Sequence, residues 1–428
     1  MVKLKYSIVL LLLIGCFLWT GAQAQAPMPS QIGQIEFDGL RKNKESFLRR
    51  VIESEAGHSL DLEKIQNDLK YLKQLSGVAM AEYRIDTTEN GLTIQFQIEE
   101  AKTFFPIVNF GGIRDNFWFQ LGANEMNLRG RGDQLTVYYQ NIDRRHNFNV
   151  FYRLPFINGS RWGGTVNVRR FASVEPIYFD ESTVFYDYNN NSLGASIFYQ
   201  LQSNHFIEFG TTFFTERFAK NERHQGEVTP GPDEVDEPKL LFKAIHQINE
   251  IDWHYFYQDG FVNQLNVESV YNLNFGDWFL LVFNDTHYFK RLGKRGNLAT
   301  RLRLGISSNG NNPFAPFVLD SYINIRGSGN RIDRGTGVIV LNVEYRHTFF
   351  EERLFAGQVV GFSDAGTWRN PGGPLSDLTD IENFRHFVGA GFRIIYKKAF
   401  NAMIRVDYGV DIYDPSQRGF VLGFGQYF

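Results

Sequence analysis

From Thr103 to Phe428 the chain repeats every second residue, and this period constrains its fold more than any other feature. In Ala402–Val410, Ala402, Ile404, Val406, Tyr408 and Val410 alternate with Met403, Arg405, Asp407 and Gly409. In Arg301–Ser307, Leu302, Leu304 and Ile306 alternate with Arg301, Arg303, Gly305 and Ser307. Successive side chains of a strand point to opposite faces, so each segment has one apolar and one polar face. Arginine recurs on the polar face at Arg153, Arg169, Arg301, Arg303, Arg393 and Arg405. The chain is also 16% aromatic, more rings than a soluble core accommodates. A lipid-facing exterior around a hydrated lumen explains both faces. The reading is an all-β transmembrane barrel of about 16 antiparallel strands. These begin near residues 103, 116, 134, 147, 161, 184, 205, 239, 261, 278, 297, 337, 354, 385, 401 and 419.

The connections alternate in length. Short ones fall near 128–133, 155–160, 202–204, 257–260, 292–296, 350–353 and 397–400. Longer ones are expected at 173–183, 218–238, 309–336, 369–384 and 411–418. Outer-membrane barrels have this habit, with the long loops outside. Trp118, Trp162, Trp253, Trp278 and Trp368 read as interface girdle residues.

The N-terminus reads as an export signal spanning 1–24. Lys3 and Lys5 precede an apolar stretch, and Ala22-Gln23-Ala24 forms a cleavage site that leaves Gln25 first. A rival reading makes Leu13-Ile14-Gly15-Cys16 a lipidation box, but Phe17, Leu18 and Trp19 continue the apolar run. Cys16 is the single cysteine. The mature chain therefore has no disulfide and no thiol-based metal site.

Residues 25–100 follow another pattern. A strand around Ile32, Ile35 and Phe37 precedes two helical stripes. The first is Phe47, Leu48, Val51 and Ile52. The second is Leu62, Ile65, Leu69 and Leu72, capped by Asp61. Strands at Val78–Asp86 and Leu92–Glu99 close a β-α-α-β-β unit around Asn90-Gly91. This small α/β unit resembles a POTRA domain, carried by Ile35-Glu36-Phe37-Asp38-Gly39, by Leu69, Leu72 and Leu75 before Gly77, and by the closing strand. The barrel then occupies 101–428.

Two motifs make the resemblance specific. Tyr322-Ile323-Asn324-Ile325-Arg326-Gly327-Ser328 lies in the longest connection, and Phe362-Ser363-Asp364-Ala365-Gly366 lies on the thirteenth candidate strand. They resemble the V-R-G-[FY] and F-x-D-x-G motifs of the BamA/TamA outer-membrane assembly-factor superfamily. Ile325 and Ser328 depart from the first motif, and a single POTRA-like unit departs from the several usual in insertases. The chain also ends on an aromatic, Phe428, which resembles the C-terminal signal of such barrels.

The resemblance implies that Arg326, beside Gly327, pairs with Asp364, beside Gly366. By alternation Glu344 faces inward as a possible second partner. It implies a barrel in the outer membrane of a Gram-negative bacterium, with the POTRA-like domain in the periplasm. Partners would be unfolded outer-membrane or secreted client proteins, the lipid bilayer and accessory periplasmic or lipoprotein subunits. Insertion would occur where the first and last strands meet. Gly111, Gly112, Gly423 and Gly425 either weaken that seam or relieve crowding at closure.

The alternatives are a dedicated two-partner-type secretion transporter and a structural barrel that docks periplasmic partners. No enzyme chemistry is expected, because G-x-S-x-G and H-E-x-x-H are absent. His254, His287, His347 and His386 read as lumen or girdle residues. No metal and no cofactor is expected. Lys+Arg 44 against Asp+Glu 47 gives no bias towards nucleic acid.

Overall fold

The computed structural model describes residues 31–88, 91–111, 118–142, 144–179, 182–222, 228–310, 314–319, 324–329, 333–399 and 402–428. The leader with Cys16, and Gly112, lie outside the described residues.

The N-terminal unit contains β1 (Ile32–Asp38), α1 (Glu45–Val51), α2 (Leu62–Gln74), β2 (Val78–Thr88) and β3 (Gly91–Glu100). Its sheet runs β1-β3-β2, with β1 parallel and β2 antiparallel to β3. The Asp61 carboxylate accepts from the N–H groups of Glu63 and Lys64 at 3.0 and 3.2 Å, which satisfies two donors that a helix start leaves free. The helices cover the sheet through Leu48, Ile65 and Leu72, against Ile35, Ile94 and Phe96. Leu62 departs from the expected stripe and is exposed; Tyr71 is buried beside Leu72 instead. Buried Asp68 accepts from the N–H groups of Glu53 and Ser54, tying the end of α1 to α2.

The remaining strands are β4 (Phe104–Gly111), β5 (Trp118–Glu125), β6 (Gln134–Ile142), β7 (Arg145–Leu154), β8 (Trp162–Phe179), β9 (Ser182–Gln202), β10 (His205–Lys220), β11 (Glu234–Asn249) and β12 (Asp252–His254). After them come β13 (Tyr257–Asn272), β14 (Trp278–Leu292), β15 (Gly296–Ser307), β16 (Phe317–Leu319), β17 (Asp333–Gly335), β18 (Gly337–Glu351), β19 (Phe355–Arg369), β20 (Phe384–Tyr396), β21 (Met403–Asp411) and β22 (Arg418–Phe424). All but β16 and β17 belong to one closed barrel, in which β22 neighbours β4. Since β12 is a three-residue strand folded onto the start of β13, sixteen longer strands form the wall among the described residues. The alternation has its physical cause here. Leu302, Leu304 and Ile306 are 38%, 43% and 46% exposed outside, whereas Arg301 is 3% exposed in the lumen.

Two expected loops are shorter than the sequence suggests. β8 and β9 stay in register from Trp162↔Tyr199 to Phe179↔Ser182, so most of 173–183 is strand. β10 and β11 pair as far as Ala219↔Glu234, which shortens the 218–238 loop to 221–233. Both extensions carry polar residues such as Ser173, Glu175, Glu234 and Asp236 and bury their apolar Ile177 and Phe218 with Val184 and Tyr186, and so lack the outward apolar alternation that marks lipid-facing strands.

The N-terminal unit sits at the end with the short turns. Gln74 donates to the carbonyls of Asn249 and Ile251 at 3.1 and 2.8 Å. Lys70 pairs with Glu250, Lys73 with Asp252 and Lys398 with Glu99.

The connection between β15 and β18 folds back into the lumen. Its hairpin of β16 and β17 carries Leu319, which packs with Ile325, Val338, Val340, Trp368 and Phe387. Trp368 is therefore a lumenal packing residue rather than a girdle residue. Trp253 lies in the β12 hairpin, against Ile251 and Phe289. Trp162 and Trp278 are exposed on the outer face, as a girdle requires.

Candidate functional site: a guanidinium–carboxylate cluster in the lumen

The site forms where the infolded loop meets the inner wall of β18, β19 and β21. Asp364 and Glu344 project inward from the paired strands β19 and β18, where Asn342 is opposite Asp364. Arg326 comes down from the loop. Its Nε and Nη2 donate to Asp364 Oδ2 and Oδ1 at 2.8 and 2.9 Å, and its backbone N–H donates to Oδ2 at 3.0 Å. Its Nη1 donates to Glu344 Oε2 at 2.5 Å. All three side chains are fully buried. With its edge used by carboxylates, the guanidinium turns its faces to rings. Its Cζ lies 3.8 Å from the Phe362 ring centroid and 4.6 Å from that of Tyr427.

Glycines give the loop its close approach. Gly327 has φ +93°, and a Cβ there would stand 2.7 Å from the Gly409 carbonyl oxygen on β21. A Cβ at Gly366 would stand 2.8 Å from Ile325 Cδ1.

The cluster is larger than the motifs indicate. Arg346 donates to Glu344 and to Gln258 Oε1. Arg393 donates to Asp407 at 2.6 Å, and Arg405 lies 3.4 Å from the same carboxylate. Four guanidiniums thus face three carboxylates: Arg326, Arg346, Arg393 and Arg405 against Glu344, Asp364 and Asp407. Strand alternation places Arg346 and Asp407 inward, so that signal was available for both. Tyr427 carries no comparable signal, because it reaches the lumen only through a turn that the sequence does not announce.

The glycines assigned to the seam fall in different settings. Gly111 ends β4 opposite Trp118. Gly423 lies opposite Arg405, and a Cβ there would meet Arg405 Nη2 at 2.5 Å, so this glycine makes room for the guanidinium. Gly425 is not on the last strand. β22 ends at Phe424, and Gly425 turns the chain with φ +76°. Phe428 accordingly does not face lipid from β22 but packs inside, near Ile251 and Phe289. The outer side chains of β22 are thinly covered: Phe420, Leu422 and Phe424 are 72%, 74% and 65% exposed.

A strand-paired barrel whose infolded loop is pinned to the wall by a buried arginine defines a class of outer-membrane protein. The model of the Omp85 superfamily domain matches residues 127–428, and the chain belongs to that superfamily. Barrels of this family sit in the outer membrane of Gram-negative bacteria. Comparison with curated proteins gives no match. Among solved structures, CdiB from Escherichia coli aligns at 13% identity over 92% of this chain and 75% of that one, with a TM-score of 0.62. CdiB from Acinetobacter baumannii aligns at 12% identity over 93% and 74%, with a TM-score of 0.58. BamA from Haemophilus ducreyi lacking POTRA domains 1-3 aligns at 15% identity over 92% and 83%, with a TM-score of 0.49. At these identities the two CdiB structures speak to the fold alone.

Proposed function

We propose that the protein assembles client chains into the outer membrane, or passes them across it, without enzyme chemistry. The N-terminal unit serves as a POTRA-like periplasmic domain, exported by the 1–24 signal. Its sheet has β1 and β2 as edge strands, and an extended client segment adds to one of them by main-chain hydrogen bonds. The observation that carries this reading is the filled lumen beside a thinly covered seam. The β15–β18 loop and its buried Arg326 obstruct the barrel from within, and the N-terminal unit lies across the short-turn end. A client is thereby directed to the β22–β4 boundary rather than through an open pore. The driving free energy is that of client folding in the bilayer.

Depletion of the protein followed by quantification of the outer-membrane proteome tests this. Broad loss of barrel proteins is expected. Loss of one secreted protein would mark a dedicated transporter, and an unchanged proteome would leave a structural barrel.

A further inference from the structure

The end of α1 and two short turns of the barrel enclose a cleft of 420 Å³. Two contacts set its walls. Ser203 Oγ donates to the Val51 carbonyl, and the Phe47 ring meets Phe156 edge-on at 5.8 Å. The N-terminal unit supplies Arg50, Glu53 and Lys64, and the barrel supplies Phe156, Arg161 and Leu201. Arg50 lies over the turn at Gly159, where a Cβ would stand 3.1 Å from its Nη2. Arg161 donates through Nη1 to the Leu201 carbonyl at 2.9 Å, which fixes its guanidinium at the rim.

The cations of this cleft differ from the others at the same joint. Lys70 pairs with Glu250 and Lys73 with Asp252. Among the described residues, no carboxylate lies within ion-pair distance of Arg50, Lys64 or Arg161. Two carboxylates line the cleft as well, Glu53 and Glu55, the latter 3.8 Å from His58.

Position points to the ligand. Leu193, Ile197 and Leu201 share the outward face of β9, so the Leu201 side chain belongs to the lipid-facing surface and to the cleft at once. Trp162 and Tyr199 meet on the same face, ring centroids 5.0 Å apart, as girdle residues do. The cleft therefore opens at the depth of the headgroups. Guanidinium groups take phosphate oxygens through forked, charge-assisted hydrogen bonds, and basic pockets at membrane surfaces hold headgroups in this way.

We infer that this cleft binds a glycerophospholipid of the periplasmic leaflet whose headgroup carries both a phosphate and an ammonium. Arg50 and Arg161 hold the phosphate, Lys64 adds positive charge, and Glu53 accepts from the ammonium. The acyl chains leave over Leu201 onto the barrel wall. One guanidinium comes from each unit, so the bound lipid joins the N-terminal unit to the barrel and stabilises their docked arrangement by mass action. The inference goes beyond the assembly reading and takes from it only the periplasmic placement of the N-terminal unit.

The test uses the full chain in detergent micelles, incubated with dioleoylphosphatidylethanolamine and read by native mass spectrometry. The unaltered protein should retain one lipid, and Arg50→Ala/Arg161→Ala should retain it about 10-fold less. Equal retention would overturn the inference. Should the double variant lose its heat-modifiable mobility, Arg161→Gln alone carries the comparison. Glu53→Gln should lower retention of this lipid and leave that of dioleoylphosphatidylglycerol unchanged, since only the former carries an ammonium; no loss, or an equal loss of both, would overturn the headgroup assignment. Glycerophosphoethanolamine, the same headgroup without acyl chains, should not displace the lipid. Displacement would mark a site for soluble phosphoesters and overturn the inference too. Failure here removes the lipid site and leaves the assembly reading standing, whereas an unchanged proteome on depletion removes the assembly reading whatever the lipid does.

Discussion

Arg326 and Asp364 stand 38 positions apart in sequence and meet through two parallel hydrogen bonds, Nε to Oδ2 at 2.8 Å and Nη2 to Oδ1 at 2.9 Å. The pair fixes a loop tip to a barrel wall, a long-range constraint that no strand pairing supplies. Lysine keeps the charge but loses the fork, and it cannot reach Asp364 and Glu344 together in this geometry. Arg326→Lys should leave a heat-modifiable barrel and lower client levels in the outer membrane. Arg326→Ala leaves two buried carboxylates short of a partner and should cost about 3–5 kcal/mol. Denaturant titration of both variants measures the difference. Normal client levels with Arg326→Lys would show that the fork is dispensable.

Gly327 and Gly329 offer a matched pair. Both have a left-handed backbone, φ +93° and +74°, but only Gly327 approaches another backbone. A Cβ at Gly327 would be 2.7 Å from the Gly409 oxygen, whereas nothing lies within 4 Å of one at Gly329. Gly329→Ala should therefore cost only the conformational strain, about 1 kcal/mol. Gly327→Ala adds overpacking against a strand that cannot move aside, a further ~1–3 kcal/mol. Urea midpoints of the two variants should differ in that order; equal midpoints would mean that the loop tip does not rest on β21.

What the sequence made legible follows from which forces act locally. Period-2 alternation is written residue by residue, because every wall position faces either lipid or lumen. The strand starts and the inward side of Glu344 could therefore be read directly. Where β8 to β11 extend, the buried apolar side chains are Ile177, Val184, Tyr186 and Phe218, gathered in one cluster among polar neighbours, so the lipid-facing pattern disappears and strand is mistaken for loop. Leu62 shows the same limit, since the first position of a helix can point to solvent without breaking its stripe. The course of residues 425–428 depends on a glycine turn and on cations contributed by three distant segments, and no local pattern encodes that.

The joint between the N-terminal unit and the barrel should respond to acid through Glu100. Its carboxylate accepts from the backbone N–H groups of Lys42 and Asn43, at 2.9 and 2.8 Å, and from the Asn43 amide at 2.9 Å. Burial pushes this carboxyl up, but the backbone and side-chain donors outweigh it and hold it below the usual glutamate range. A group whose folded value is lowered stabilises the fold above its unfolded value, roughly pH 4.3. That contribution is lost as pH falls through the lowered folded value. Protection of the Lys42 and Asn43 amides in hydrogen exchange should be full at pH 7 and fall away in acid. Glu100→Gln should weaken protection already at pH 7. Unaltered protection in that variant would place the hold on this segment elsewhere.

Charges on one face of α2 supply part of the hold of the N-terminal unit on the short-turn end, beside contacts such as Phe47 with Phe156 and Lys42 with Glu125, and that part can be reversed without touching the domain core. Lys70 pairs with Glu250, Lys73 pairs with Asp252, and Gln74 donates to two carbonyls of the same connection. These side chains are not in the domain core, where Ile65 and Leu72 are fully buried. Lys70→Glu/Lys73→Glu puts like charges opposite Glu250 and Asp252 while leaving the apolar stripe of α2 intact. The pairs are only partly buried, so each loss is modest, about 1 kcal/mol or less; the added repulsion decides the outcome. The variant should keep its barrel and its folded domain but uncover the short-turn mouth of the lumen. In planar bilayers its single-channel conductance should then rise above that of the unaltered protein, and more so at low salt, where repulsion is least screened. Adding Glu250→Lys/Asp252→Lys should restore the low conductance. A charge-reversed variant with unchanged conductance at every salt concentration would show that the charges on α2 do not keep the mouth covered.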